Sequence, residues 1–387
     1  MLKLLHTADW HPRSQGPIGG KLSIDPNTGM SWSLTDFNES LRWLASVIKE
    51  ESPDAMILAG DVFDTPNPTT DEYMAVMNFL EHIRANQVIP IFAVSGNHDI
   101  YQSGTGAAAT HLTKFTQTFC AQAPTTLMQV LQGHLIRFDF LPYPSRGRIM
   151  ATMDLKGVSH EEVDALINRK LSDVVRGFTV GHGEDEIRIL IGHGSVSMAK
   201  VNEQPRSLAH DIQLPVKEFE NAYHYIALGH IHQMQQLTSN AWYSGSLMRQ
   251  GFGEEQEAKG VLMVRVDQKE LDVKFIENPH SRTYKTLRLD ELAGLHGEFS
   301  TVYRVKAKVS AEELARYEED IIACQNTLPY FQVDVEVVKD DRQRDSGMTN
   351  GMTPDQALDR CLAREAIEDP LLSEIRSTHQ VIMEELR

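Results

Sequence analysis

The chain has 387 residues, 41% of them hydrophobic and 24% charged, values that exclude a wholly disordered or fibrous protein and, at this length, predict two or more domains. Its 37 basic residues against 54 acidic ones leave a formal charge of −17, which argues against a bare polyanion-binding surface. No apolar run approaches the length needed to span a bilayer.

The opening MLKLLHTADWH starts with a short apolar strand at residues 2–5 and meets Asp9 before a signal-peptide core could form, which reads as a mature cytoplasmic chain. Cys120, Cys324 and Cys361 are widely spaced and odd in number, as expected of reduced thiols used for packing. Thr35 is predicted to cap a helix to about Glu50, with Phe37, Leu41, Leu44, Ala45 and Ile48 on its buried face. A strand at residues 55–58, a helix over 71–85 and a strand at 88–94 follow, with further strands at 187–191 and 225–228. Alternation of this kind predicts a layered α/β domain over residues 1–280.

Farther on, strands at residues 302–309 and 331–338 flank a predicted helix over 311–325, giving a small α+β lobe at 281–340. Residues 341–352 lie within a polar, glycine-containing stretch and read as a linker. Thr353-Pro354 and Asp369-Pro370 are each a cap followed by a first-turn proline, so residues 353–387 are predicted to form a helical hairpin. Leu372, Ile375, Ile382 and Leu386 share one helical face, suited to docking a partner or to packing back on the chain's own domain.

The five early strands share one habit: each ends in metal-ligating chemistry. They run into Asp9-Trp10-His11, into Gly60-Asp61 with Asp64, into Gly96-Asn97-His98-Asp99, into Gly192-His193, and into Gly229-His230-Ile231-His232. In open α/β sheets, sites form outside the carboxyl ends of strands, so these clusters can share one crevice. Residues i and i+2 of an extended segment point the same way, which lets Asp9 with His11, and His230 with His232, aim at one point. A carboxylate, carboxamide and imidazole set without thiolates suits divalent metals of mixed oxygen and nitrogen ligation. The set is too large for one ion, whereas two ions about 3.5–4 Å apart and bridged by a carboxylate are a recurrent device for phosphoester hydrolysis. His6, His182 and His224 flank the clusters without matching them and read as hydrogen-bonded residues, and His379 reads as part of a packing face.

These motifs resemble the calcineurin-like metallophosphoesterases and, within them, the SbcD-type DNA double-strand-break repair nucleases. HTADWH, LAGDVFDTPNP, SGNHD, LPYP, GHIH and YSGSLMRQGFGEE carry the resemblance, which covers most of residues 1–280. It implies a two-sheet sandwich flanked by helices, a small α+β capping domain, and a C-terminal helix-loop-helix at residues 353–387 that binds an SbcC-type coiled-coil ATPase. It also implies two Mn2+ per subunit, with Mg2+, Fe2+ or Zn2+ admissible on the ligand set. Asp9, His11, Asp61 and His232 would hold one metal; Asp61, Asn97, His193 and His230 would hold the other, with Asp61 bridging. His98 would act on the substrate, Asp99 would orient the His98 ring, and Asp64 would back a ligand. The implied activity is a 3′–5′ double-strand exonuclease and single-strand endonuclease acting at DNA ends. The implied homodimer would use helices near residues 71–85 and 106–118.

After His11 the family usually continues Leu-Gly, whereas this chain has Pro12-Arg13 and then a Gly/Pro-rich excursion to Ser31. Arg13, Lys21, Arg146, Arg148 and Lys200 are the candidate phosphate contacts. Two other readings use the same residues: a metallophosphatase or phosphodiesterase on a non-DNA substrate, and a noncatalytic end-binding scaffold.

Overall fold

Strand β1 (Leu2–Thr7) sends Leu4 into one apolar layer and Leu5 into another. The same split recurs in β2 (Ala55–Leu58), where Ile57 opposes Met56 and Leu58, and in β3 (Ile91–Val94), where Phe92 and Val94 oppose Ala93. Burial on both faces explains why these strands are continuous apolar runs and not alternating ones. In the computed structural model the described residues are 1–14, 24–25, 28–87, 89–101, 112, 118–150, 158–200, 212–295, 300–328, 330–338, 352–362 and 369–385.

The three strands lie parallel in a six-stranded sheet with β4 (Thr118–Ala121) beyond β3; β11 (Gly260–Val266) and β12 (Leu271–Glu277) extend it antiparallel on the β1 side. A second six-stranded sheet has the order β5 (Thr125–Leu131), β6 (His134–Leu141), β7 (Ile187–His193), β8 (Tyr225–Gly229), β10 (Ala241–Tyr243) and β9 (Gln235–Gln236). Facing side chains of the two sheets interleave, with Phe92 stacked on Phe138 at a centroid distance of 4.1 Å.

Helices α1 (Trp32–Glu51) and α2 (Thr70–Asn86) cover the outer face of the first sheet through Phe37, Leu41, Leu44, Val76 and Leu80. Helix α3 (His160–Thr179) covers the second through Val163, Ile167 and Leu171, which pack with Leu190 and Leu228. The result is the layered α/β domain that the strand-helix alternation predicts, in the form of the two-sheet sandwich with helices outside that the resemblance implies.

Helix α1 starts earlier than expected. Ser31, not Thr35, caps it, accepting from the Leu34 amide at 3.2 Å, because Trp32 packs edge-on to Tyr330 at 5.7 Å and draws an extra turn into the helix. Helix α2 has Thr69 and Glu72 as a reciprocal capping box.

A third sheet contains β13 (Thr283–Leu287), β14 (Thr301–Ser310) and β15 (Phe331–Val338). The single helix expected between β14 and β15 is two, Ala311–Ala315 and Glu318–Thr327, because Tyr317 leaves the helical region at φ −111° and ψ 4°.

The described residues group into two compact units, Met1–Ala307 with Tyr317–Val335, and Lys308–Arg316 with Glu336–Arg387. In the second, α4 (Pro354–Leu362) is capped by Thr353, whose hydroxyl accepts from the Gln356 amide at 3.3 Å. Helix α5 (Asp369–Glu385) is joined to α4 by Arg376 with Asp359 at 2.8 Å and His379 with Asp355 at 2.9 Å. Its half-buried side is Leu372, Ile375, His379 and Met383, while Ile382 is exposed, so the apolar face is rotated from the one read in the sequence; Leu386 lies outside the described residues. The linker segment 341–351, residues 102–111 and most of 106–118 lie outside them too. Among the described residues no helix is long and apolar enough to cross a membrane.

Within the first unit, Arg282 fastens β13 to α1. Its guanidinium makes two bonds of 2.6 Å to the Asp36 carboxylate and lies 4.5 Å from the Tyr330 ring centroid. Both partners are nearly buried, and removing one side of such a pair leaves the other uncompensated. Arg282→Met should therefore destabilise the protein by about 3–5 kcal/mol, read as a lower urea midpoint.

Candidate metal centre

Backbone strain marks the site before any side chain is considered. Asp9, His11, Asp61 and His230 have φ of 52°, 41°, 50° and 105°, where L-residues are rarely found. Each costs roughly 1–3 kcal/mol and persists only because the surroundings over-determine it. All four follow the carboxyl ends of β1, β2 and β8, where backbone bonds such as Asp9 N to Gly60 O at 3.0 Å lock neighbouring strand ends together. Two glycines make room. A Cβ on Gly60 would stand 2.2 Å from His193 Nδ1, and one on Gly96 would stand 2.1 Å from Asp61 Oδ1.

The ring tautomers follow from their outer hydrogen bonds. His193 Nδ1 faces the Ala59 carbonyl at 2.7 Å and donates to it, so Nε2 presents a lone pair. That Nε2 lies 3.1 Å from Asn97 Oδ1 and 3.3 Å from Asp61 Oδ2. His230 Nδ1 lies 3.0 Å from the same Asn97 oxygen. On the other side, His232 Nδ1 donates to Glu254 Oε1 at 2.7 Å, and His11 Nδ1 is 3.3 Å from Asp64 Oδ1. With the His232 Nε2 lone pair turned inward, the two Nε2 atoms face each other at 3.2 Å. Asp61 Oδ2, 3.5 Å from His11 Nε2, stands between the two groups.

Carboxylate, carboxamide and imidazole groups converging at this spacing are a donor set that divalent cations bind, and that is the fit of this pocket to metal. Asp9, His11 and His232 form one candidate set and Asp61, His193 and His230 another, the ligand atoms of each lying within 4.8 Å of one another. Without a cation a proton must serve. Burial disfavours a charged His193 ring, but the adjacent Asp61 carboxylate more than offsets this and holds its pKa up at about 9.

His98 is half-buried, with 42% of its side chain exposed. Its Nδ1 donates to the Asp64 carbonyl at 2.8 Å, its amide donates to Asp61 Oδ1 at 2.8 Å, and its ring stands edge-on to His11 at 4.6 Å. Asp99 does not orient that ring. Its buried carboxylate accepts from the amides of Gly96 at 2.9 Å, Phe63 at 3.0 Å and Val62 at 3.3 Å, because the turn after β3 sends neighbouring side chains in opposite directions. Burial and the Asp61 charge raise its pKa to about 6. Asp64 sits behind His11 and also takes Arg13 at 2.8 Å.

Of the basic residues expected at phosphates, Arg13 is thus committed to Asp64, and Arg146 pairs with Asp164. Lys200 has an exposed side chain, while its backbone bonds the Gln235 amide. Lys21 and the Arg148 side chain lie outside the described residues. His6 bonds the Tyr225 hydroxyl at 2.8 Å and His224 accepts from the Arg188 amide at 2.9 Å; His182 lies 3.6 Å from Asp139. Sequence reasoning missed Glu254, whose only signal was its place in the YSGSLMRQGFGEE motif.

A pocket of paired acceptors at the strand ends of two facing sheets has the form of a metallohydrolase centre. The chain belongs to the calcineurin-like phosphoesterase family, whose model matches residues 2–234, and is accordingly a metal-dependent phosphoester hydrolase. Among solved structures it is similar to TT1561 of Thermus thermophilus, at 10% identity over 71% of this chain and 98% of that one, with a TM-score of 0.38. It is also similar to the calcineurin-like phosphoesterase YfkN from Bacillus subtilis, at 11% identity over 71% and 88%, with a TM-score of 0.36.

Two outcomes are expected. A metal must displace the His193 proton, so affinity for a divalent ion should climb with pH up to about 9 and then level; at pH 7, calorimetry in buffers of different ionisation enthalpy should record a released proton. Gly96→Ala drives a methyl into the Asp61 carboxylate and should lower Mn2+ affinity by at least about 10-fold, measured by the same titration.

Proposed function

We propose that the chain is a manganese-dependent DNA nuclease, the nuclease subunit of an ATP-dependent end-processing complex of the SbcD type. In this reading it is a cytoplasmic homodimer with 3′–5′ double-strand exonuclease and single-strand endonuclease activity, and residues 353–387 bind the coiled-coil ATPase. The observation that carries the hydrolytic core is Asp61 Oδ2, placed between His193 Nε2 at 3.3 Å and His11 Nε2 at 3.5 Å, as a carboxylate shared by two ions would be. Support for DNA as substrate comes from the motif set, including SGNHD and YSGSLMRQGFGEE, and from the helix pair behind the polar linker.

Asp9, His11, Asp61 and His232 would hold one Mn2+, and Asp61, Asn97, His193 and His230 the second. Bound divalent ions supply Lewis acidity to the phosphoryl group and to the attacking water. His98 does the protein's own share of the chemistry. With Nδ1–H tied to the Asp64 carbonyl, the ring in its imidazolium form would use Nε2–H to donate to a phosphoryl oxygen or to hand a proton to the departing sugar oxygen. Asp64 keeps His11 and Arg13 in register beneath it. The attacking water's oxygen joins phosphorus as the bond to the sugar oxygen breaks.

The chain is acidic in balance, and two of its expected phosphate contacts, Arg13 and Arg146, are paired with carboxylates. Isolated protein should therefore hold DNA weakly, the ATPase partner supplying the extended clamp. The same pairing favours, as a second reading, a phosphatase or phosphodiesterase on a small substrate.

The deciding assay is cleavage of end-labelled linear duplex and circular single-stranded DNA with Mn2+, Mg2+ or chelator, for the native protein and His98→Ala. Mn2+-dependent cleavage that falls about 10²–10⁴-fold in the variant, at unchanged metal content, is expected. Turnover of a small phosphomonoester with no DNA cleavage, even with ATPase and ATP, would establish the second reading.

A further inference from the structure

The polar network around the site extends past its ligands, behind His232. Glu254 Oε1 receives His232 Nδ1 at 2.7 Å, while its other oxygen, Oε2, accepts from the Gln250 amide at 2.8 Å and from Lys259 Nζ at 2.9 Å. Lys259 is fully buried, and its ammonium also meets Glu257 Oε2 at 2.7 Å and the His232 carbonyl at 2.9 Å. One lysine thus grips both the backbone of His232 and the carboxylate that holds its ring. A buried ammonium with two carboxylates is a costly way to fill space, and hydrophobic residues of similar volume would often serve stability as well.

The donors explain the arrangement. The Gln250 amide and the Lys259 ammonium can only donate, so they require an acceptor at Oε2; a carboxylate then has only an acceptor left to offer at Oε1. We propose that Glu254 is a positioning residue, held by Lys259 and Gln250, that fixes the His232 imidazole as its Nδ1–H tautomer with Nε2 turned into the metal pocket. The inference rests on the metal reading of the site. The adjacent Phe252 packs edge-on to Tyr284 at 5.0 Å, and Glu255 bonds the Thr286 hydroxyl, so β13 braces the same turn from outside.

An isosteric change tests this directly. In Glu254→Gln the side-chain oxygen is drawn to Lys259 and the Gln250 amide, which leaves the NH2 group facing His232. That selects the Nε2–H tautomer and removes the lone pair from the pocket. Mn2+ titration of chelator-stripped native protein, Glu254→Gln and Glu254→Asp would be combined with 15N NMR of labelled imidazoles and thermal unfolding. The Gln variant should bind Mn2+ about 10- to 100-fold more weakly and show His232 as Nε2–H. Glu254→Asp, which keeps an acceptor-only group, should restore Nδ1–H and recover part of the affinity. Native affinity and tautomer in a folded Gln variant would overturn the proposal, as would an Asp variant as impaired as Gln. If Gln fails to fold, the tautomer of the Asp variant decides alone, Nδ1–H supporting the proposal and Nε2–H overturning it. Native protein that binds no Mn2+ would bring down the metal reading itself, a failure seen before any variant is compared.

Discussion

The architecture is organised around a convergence of ligand atoms. Ligand atoms of His193, Asn97 and Asp61 meet on one side, those of His11 and His232 on the other, and one oxygen of Asp61 belongs to both meetings. Divalent cations are the partners this crowding of donor atoms suits. Much else in the first unit serves to hold these groups together: four strained backbone positions, two glycines with no room for a Cβ, and outer hydrogen bonds that commit the Nδ1 atoms of His193 and His232.

What holds that convergence in place is ordinary packing. Strands buried on both faces and helices laid across both outer sides give the strand ends little freedom, and the stacked Phe92 and Phe138 are one of many contacts that keep the sheets in register. A core of this kind tolerates roughly 1–3 kcal/mol of strain at a residue because many buried side chains, each contributing about 1.5–3 kcal/mol, would have to move to release it. The bidentate Arg282–Asp36 pair extends the rigid body to β13, and from there Tyr284 and Thr286 reach the turn that carries Glu254.

Much of this was legible in the sequence for a physical reason. A strand buried on two sides must be an unbroken apolar run, and one that ends at a site must break into polar residues abruptly, so AMIL before AGD and IFAV before SGNHD announce both element and function. What escaped depends on directions that neighbouring letters do not carry. Asp99 stands beside His98 in the chain yet points into the backbone of residues 62–63, because a tight turn separates adjacent side chains. Glu254 is 22 positions from His232 on a short turn with no periodicity to betray it. The capping of α1 by Ser31 depends on Trp32 meeting Tyr330, far away in the chain, which no local rule contains.

The order in which the acceptors occur along the chain has a consequence for biosynthesis. Asp9, His11, Asp61 and Asn97 emerge early from the ribosome, but each half of the pocket is closed by residues of the second sheet, His193, His230 and His232. A nascent chain that has made only β1 to β4 holds an incomplete set and binds metal weakly, and the full site exists only once β7 and β8 have docked. Metal captured at that moment binds the native state and not its precursors, and so acts as a latch on the completed sandwich, adding stability in proportion to the logarithm of free metal over its dissociation constant.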